Sequence, residues 1–284
     1  VKVQFFYQNL GWGHRFRTQA IAQRFEKRGF KFTHEKMDDF AAVFDPACRF
    51  IIFDTLEDIS PLLIKVRQNN IKNALIDNLT PARLHADIVI YPGAHYTQLD
   101  TLDWSQFAGR KLVGFKYVPL REIFIKNKIH YQPQKKILVT FGGTDPNHLL
   151  KQLTTILGTE FPDYEIVSPK PDVTGDHISK LMRVSTLGIT AFGTTLYEMA
   201  YMGLPSAIIY NYVSDRKDVV KYTQLGFSVN IGYFKNVHRN TIRDRLGPLL
   251  TNKEAFKKMH QKCKYVDGKG ADRIVDQIIN EISK

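Results

Sequence analysis

The sequence predicts an α/β protein made of two Rossmann-like parallel-sheet domains that face each other across a cleft. Three observations carry this. Short unbroken apolar runs recur along the chain, as at residues 49–54 and 137–141, which is how strands buried on both faces read. Segments with helical spacing separate those runs. The strand–helix alternation also starts twice, at residue 2 and again near residue 136, with a stretch carrying Pro119, Pro133 and several charges between.

In order, residues 2–7 read as a strand, 8–13 as a turn and 14–28 as a helix. Phe16, Ala20, Ile21, Ala22 and Phe25 share one face of that helix, and Gly29 stops it. Residues 30–35, 49–54, 73–77 and 87–91 read as further strands, with a helix at 61–68. The second run has strands at 137–141, 164–168, 187–190 and 206–210. Helices are expected at 147–157, 178–184, 193–202 and 215–225, and three closing helices at 241–250, 253–263 and 270–282. This divides the chain into a first domain at 1–118, a linker at 119–135 and a second domain at 136–284.

Composition narrows the class. The 284 residues are 43% hydrophobic and 24% charged, ordinary for a globular protein. No apolar run reaches the roughly 20 residues that span a bilayer, and residues 1–7 lack the zones of a signal peptide. Cytoplasmic residence is the expectation. Cys48 and Cys263 stand alone, with no metal-ligand spacing around either, and read as core residues in a reducing compartment. The net charge of +12 is spread along the chain. Without a zinc-finger spacing or an aromatic RNA-binding motif, no nucleic acid is expected. An anionic small molecule, with at most peripheral membrane contact, remains.

Three glycine turns at strand ends can carry chemistry. Gly11-Trp12-Gly13-His14, followed by Arg17, joins the first strand to the first helix. Glycine lets backbone approach a ligand, and a helix start favours anions. A neutral His14 there can act as a base; the plainer reading is a histidine satisfied locally. Phe141-Gly142-Gly143-Thr144-Asp145-Pro146 follows the first strand of the second run. It reads either as a phosphate nest or as a tight turn in which Asp145 or Asn147 caps a helix. Gly193-Thr194-Thr195 opens a helix, and Glu198 one turn onward can accept from two ribose hydroxyls or serve ordinary capping. Asp54 ends the third strand.

Taken together, these motifs resemble a known family. It comprises the UDP-2,4-diacetamido-2,4,6-trideoxy-β-L-altropyranose hydrolase of pseudaminic acid biosynthesis and related spore-coat polysaccharide biosynthesis proteins. Ile76-Asp77-Asn78-Leu79 with His85-Ala86-Asp87, the segment 114–121 with Phe124, Gly203-Leu204-Pro205, and residues 266–275 agree in the same order. The resemblance implies a GT-B-like fold, with sugar and catalysis on the first domain and UDP on the second. It implies no cofactor and no metal. His14 takes the place of the family's catalytic histidine and Glu198 that of its nucleotide-binding glutamate. Two stretches depart from the pattern. Asp54-Thr55-Leu56 stands where the hydrolases carry Asp-His-Tyr, and Val213-Ser214-Asp215 stands near their Glu-Asn-Gln.

The expected function is a UDP-sugar hydrolase of bacterial surface polysaccharide or nonulosonic acid biosynthesis, with water attacking C1 and UDP leaving. The alternative is a GT-B glycosyltransferase passing the sugar to a sugar or lipid acceptor, and a third reading is a binding protein without catalysis. The expected catalytic residues are His14 and Asp54. Gly11, Gly13, Arg17, Gly142, Gly143, Thr144, Gly193, Thr194, Thr195 and Glu198 are the expected substrate contacts.

Overall fold

The computed structural model describes residues 1–93, 97–128, 131–142, 145–170 and 174–283. Gly143 and Thr144 of the second glycine turn lie outside them. The chain forms two compact units, Val1–Arg121 with Gly268–Lys284, and Glu122–Asp267.

The first unit runs β1 (Lys2–Tyr7), α1 (Trp12–Lys27), β2 (Lys31–Lys36), α2 (Phe40–Val43), β3 (Phe50–Asp54), α3 (Ser60–Gln68), β4 (Lys72–Ile76), β5 (Ile88–Tyr91) and β6 (Arg110–Val113). Its six strands lie in the order β2-β1-β3-β4-β5-β6, every pair parallel. Alternation sends the strand side chains to two cores. Phe5, Ile52, Ile76 and Ile90 pack under Ile21 and Phe25 of α1, while Phe6, Ile51, Phe53, Leu75 and Val89 pack against Leu63 and Val66 of α3. Both faces are covered, as the unbroken apolar runs require.

The second unit runs α4 (Glu122–Lys126), β7 (Lys136–Thr140), α5 (Leu149–Glu160), β8 (Glu165–Val167), α6 (Asp176–Val184), β9 (Leu187–Ala191), α7 (Thr194–Met202), β10 (Ser206–Tyr210), α8 (Arg216–Thr223), β11 (Ser228–Tyr233), α9 (Arg239–Leu250) and α10 (Lys253–Lys262). Its parallel sheet has the order β11-β10-β9-β7-β8. Ile137, Val139, Ile189 and Ile209 meet Leu149, Leu153 and Leu157 of α5 and Ile242 and Leu246 of α9.

Three expectations are corrected. The last helix, α11 (Gly270–Ile282), belongs to the first unit: Ala271, Ile274, Val275 and Ile278 complete the core under α1. Arg28 pairs with Asp276 and Arg24 with Asp272 across the same contact. Several described residues of the expected linker at 119–135 are packed. Leu120 and Phe124 are buried, and the Tyr131 hydroxyl donates to the Ser185 carbonyl while its ring stacks on His260. Finally, α1 begins at Trp12 rather than His14, because only Gly11, at φ 84° and ψ −171°, takes the backbone region that excludes side chains. Gly13 is an ordinary residue of the first helical turn.

The seating of α11 leaves no room at its first residue. A Cβ on Gly270 would stand 2.1 Å from the Val118 carbonyl oxygen and 2.5 Å from its carbonyl carbon. Gly270→Ala should therefore destabilise the first unit by about 1–3 kcal/mol. The chain's two tryptophans, Trp12 and Trp104, both lie in that unit, so fluorescence during urea unfolding reads it directly. Gly158→Ala, whose Cβ meets nothing within 4 Å, should leave the midpoint unchanged.

Candidate active site

In the first unit the candidate residues converge at the carboxyl ends of the central strands. Asp54 is the last residue of β3 and Asp77 follows β4, while His14 and Arg17 sit one helical turn apart at the start of α1. The Arg17 guanidinium grips Asp54 with both ends of its fork, Nε to Oδ2 and Nη2 to Oδ1, each at 2.5 Å. Its third nitrogen, Nη1, donates to Asp77 Oδ2 at 2.6 Å. His14 Nδ1 lies 2.6 Å from Asp54 Oδ1.

Asp54 has no solvent exposure, and the His14 side chain keeps 13%. Burial pushes the Asp54 carboxyl upward, but the Arg17 charge and hydrogen bonds, joined by the His14 contact, hold it below the usual carboxylate value. An ionised carboxylate only accepts hydrogen bonds, so the proton of the neutral imidazole sits on Nδ1 and Nε2 keeps its lone pair. The approach of Arg17 Nη2 to His14 Nδ1, 3.2 Å, is then two donors converging on one oxygen.

Surrounding residues hold this network in place. Asp77 takes a left-handed backbone, φ 59°, a region that aspartate enters more readily than most residues other than glycine. Asn78 follows it and ties the neighbouring loops together. Its amide donates to the Thr55 and Glu57 carbonyls at 2.7 and 2.8 Å and accepts from the Thr80 amide and hydroxyl, and its own carbonyl accepts from the Tyr91 hydroxyl. Behind α1, the fully buried Thr18 donates to the His14 carbonyl at 2.8 Å. With its single proton committed there, Thr18 Oγ1 accepts from His34 Nε2, also 2.8 Å away. Burial, with the nearby Arg15 charge, lowers the His34 pKa to about 4, so that ring is neutral near pH 7.

In the second unit the corresponding turns follow β7, β9 and β10. Gly142 has φ 72°, and a Cβ there would meet nothing within 4 Å. Asp145 takes the capping role: its two carboxylate oxygens accept from the Leu149 and Leu150 amides at 3.0 Å each. Asn147 reaches across to Asn211 after β10, at 2.9 Å, tying two of the turns together. Gly193 is exposed and opens α7 with no side-chain cap and no acidic residue in the first turn. Thr194 and Thr195 are half-buried there, and Glu198 is buried.

Several expectations therefore change. Arg17, expected to touch substrate, has its guanidinium occupied by two carboxylates. Asp54, expected to be catalytic, is enclosed, and its carboxylate contacts Arg17 and His14. Asp77 belongs to the Ile76-Asp77-Asn78-Leu79 motif, and an acid directly after a buried strand is its signal. Cys48 and Cys263 are buried free thiols whose burial raises their pKa values to about 11 and about 12. Among the described residues no three His, Cys, Asp or Glu side chains are grouped to hold a metal ion, and no helix is long and apolar enough to cross a membrane.

Comparison with known proteins gives the fold a context. No family model matches the chain. It is 21% identical to the spore coat polysaccharide biosynthesis protein SpsG of Bacillus subtilis, over 93% of both chains. Among solved structures it is similar to MurG of Acinetobacter baumannii, with a TM-score of 0.70 and 13% identity over 98% of this chain and 99% of that one. It is also similar to MnaA of S. aureus, solved with UDP, with a TM-score of 0.68 and 10% identity over 99% and 97%. The fold is thus GT-B-like, and the relation to SpsG is distant.

Two consequences follow from the buried network. Asp54→Asn leaves Arg17 without its buried counter-charge, and stability should fall by about 3–5 kcal/mol. The wild type should also lose stability in acid in two stages. His34, at 6.5 when unfolded and about 4 when folded, contributes stability above pH 6.5 that drains away as pH falls through about 4. Asp54, held low in the folded state, contributes stability above an unfolded value of about 3.9 that is lost only below it. Urea midpoints read from tryptophan fluorescence should show the first stage vanish in His34→Gln and persist in Asp54→Asn.

Proposed function

We propose that this chain is an enzyme of bacterial surface polysaccharide or nonulosonic acid biosynthesis that hydrolyses a UDP-sugar. The observation that carries the reading is the His14–Asp54 pair, its carboxylate clamped by Arg17 at the strand ends of the first unit. Asp54 fixes the imidazole with Nε2 unprotonated, the form a general base needs. Water attacks C1 of the sugar, its proton passes to Nε2, and the C–O bond to UDP breaks with the electron pair leaving on the phosphate. Asp54 then balances the positive imidazolium, as the buried acid does in catalytic triads. Arg17 and Asp77 position this pair.

The nucleotide falls to the second unit. The uncapped start of α7 at Gly193, Thr194 and Thr195 offers backbone amides and hydroxyls to a diphosphate, and Glu198 accepts from the ribose hydroxyls. Gly142, at φ 72°, stands at the second turn assigned to the phosphates, and Gly11 clears the approach to His14. MnaA, of similar fold, was solved with UDP, and SpsG is named for polysaccharide biosynthesis; both support this reading.

One observation favours transfer to an acceptor as a second reading. Leu10 and Leu56 are 60% and 51% exposed on loops joined by Gln8, which accepts from the Leu56 amide and donates to Glu57. Exposed leucines flanking the His14 turn suit an acceptor with an apolar chain. Assays for UDP release from UDP-sugars, with and without sugar and lipid acceptors, separate the readings. Release without acceptor is expected. Release only with one establishes transfer, and binding without release establishes a protein that has lost catalysis.

Two variants test the assigned roles. His14→Ala should lower turnover about 10²–10⁴-fold, with UDP affinity and melting temperature nearly unchanged; parallel losses in all three would make His14 structural. Glu198→Ala should weaken UDP binding by about 1.5–3 kcal/mol in calorimetry, and an unchanged affinity in a folded variant would remove the ribose contact.

A further inference from the structure

A cavity in the second unit is used by none of this. It holds about 620 Å³ and lies between α8 and α9 against β11, the edge strand of the sheet. That volume is within the range of small-molecule sites. Arg216 of α8 and Arg245 of α9 line it, and no lining residue is acidic. Neither arginine has a hydrogen-bond or ion-pair partner among the described residues. The carboxylate beside Arg245, Asp244, lies 3.5 Å from Arg243 instead. A third polar group also lacks a partner. Asn230 of β11 lines the cavity with its Oδ1 buried and accepting no hydrogen bond among the described residues. A buried acceptor left unmatched costs free energy, so its place in a cavity wall points to a ligand donor. The rings of Tyr210 and Tyr233, 5.8 Å apart and tilted by 34°, supply an aromatic wall.

We propose that this cavity is a second ligand site that takes a hydroxylated anion of hexose size, a sugar phosphate or an acidic sugar. The arginines recognise the anionic group through charge-assisted hydrogen bonds. A ligand hydroxyl donates to Asn230 Oδ1, and the tyrosine rings cover the C–H face of a sugar ring. The cavity shares no residue with the turns after β7 and β9 that the nucleotide-sugar reading uses, although Tyr210 and Val213 place it beside the turn after β10.

Calorimetry on the full chain with glucose 6-phosphate, glucuronate and inorganic phosphate tests it. Saturable binding of one hexose-sized anion is expected, and whichever of the two binds more tightly names the anionic group. Arg216→Gln with Arg245→Gln, both exposed positions, should weaken it at least about tenfold. Asn230→Ala should weaken the hexose-sized ligand and leave inorganic phosphate unaffected. His14→Ala and Glu198→Ala should bind it as the wild type does. The proposal is overturned if no probe binds saturably below about 10 mM, or if the double arginine variant binds unchanged. It is equally overturned if Glu198→Ala abolishes the binding, or if inorganic phosphate binds as tightly as both larger anions.

Discussion

The polar network of the first unit depends on one buried interaction, the two-pronged grip of Arg17 on Asp54. Enclosing a carboxylate costs several kcal/mol, and the attraction to a guanidinium offsets this only where geometry is good and the remaining lone pairs are satisfied. Here both conditions hold. Each Asp54 oxygen takes an Arg17 nitrogen at 2.5 Å, and Oδ1 also takes His14. The arginine's outer nitrogen goes to Asp77, whose side chain keeps 23% exposure. Without the guanidinium, two carboxylates would face each other with no intervening charge.

That charge arrangement explains why the backbone around it is so constrained. Asp77 takes a left-handed conformation, and Asn78 beside it bridges the loops after β3 and β4. Gly11 takes an orientation closed to other residues because α1 has to begin at once, so that positions 14 and 17 fall on the side facing Asp54. Thr18 and a neutral His34 brace the same helical turn from behind. Strained backbone persisting at strand ends fits a site whose geometry matters more than its local cost.

Much of this was legible in the chain itself. Strands such as Phe50–Asp54 and Lys136–Thr140 are legible because both their faces are apolar, and His14, Asp54 and the Gly193 turn because glycines and polar groups at strand ends are conspicuous. Two strands give no such signal. Arg110–Val113 begins with two cations, and Ser228–Tyr233 carries Asn230 and Gly232, which an edge strand tolerates. The pairing of Arg17 with two acids spans 37 and 60 residues of sequence, so no local pattern carries it. The return of α11 to the first unit was hidden for the same reason: its apolar face identifies a helix but not the partner it covers.

Asp54, as an ionised acceptor against Nδ1, fixes the tautomer of His14. Long-range proton–nitrogen NMR correlation on protein labelled with ¹⁵N-histidine measures this directly, since each ring nitrogen's shift reports whether it carries a proton. The neutral His14 ring should show a protonated Nδ1 and an unprotonated Nε2. In a folded Asp54→Asn variant that preference should be lost. A wild-type His14 with its proton on Nε2 would contradict the account, because the lone pair would then lie on Nδ1, against Asp54, and Nε2 could not serve as the proposed base.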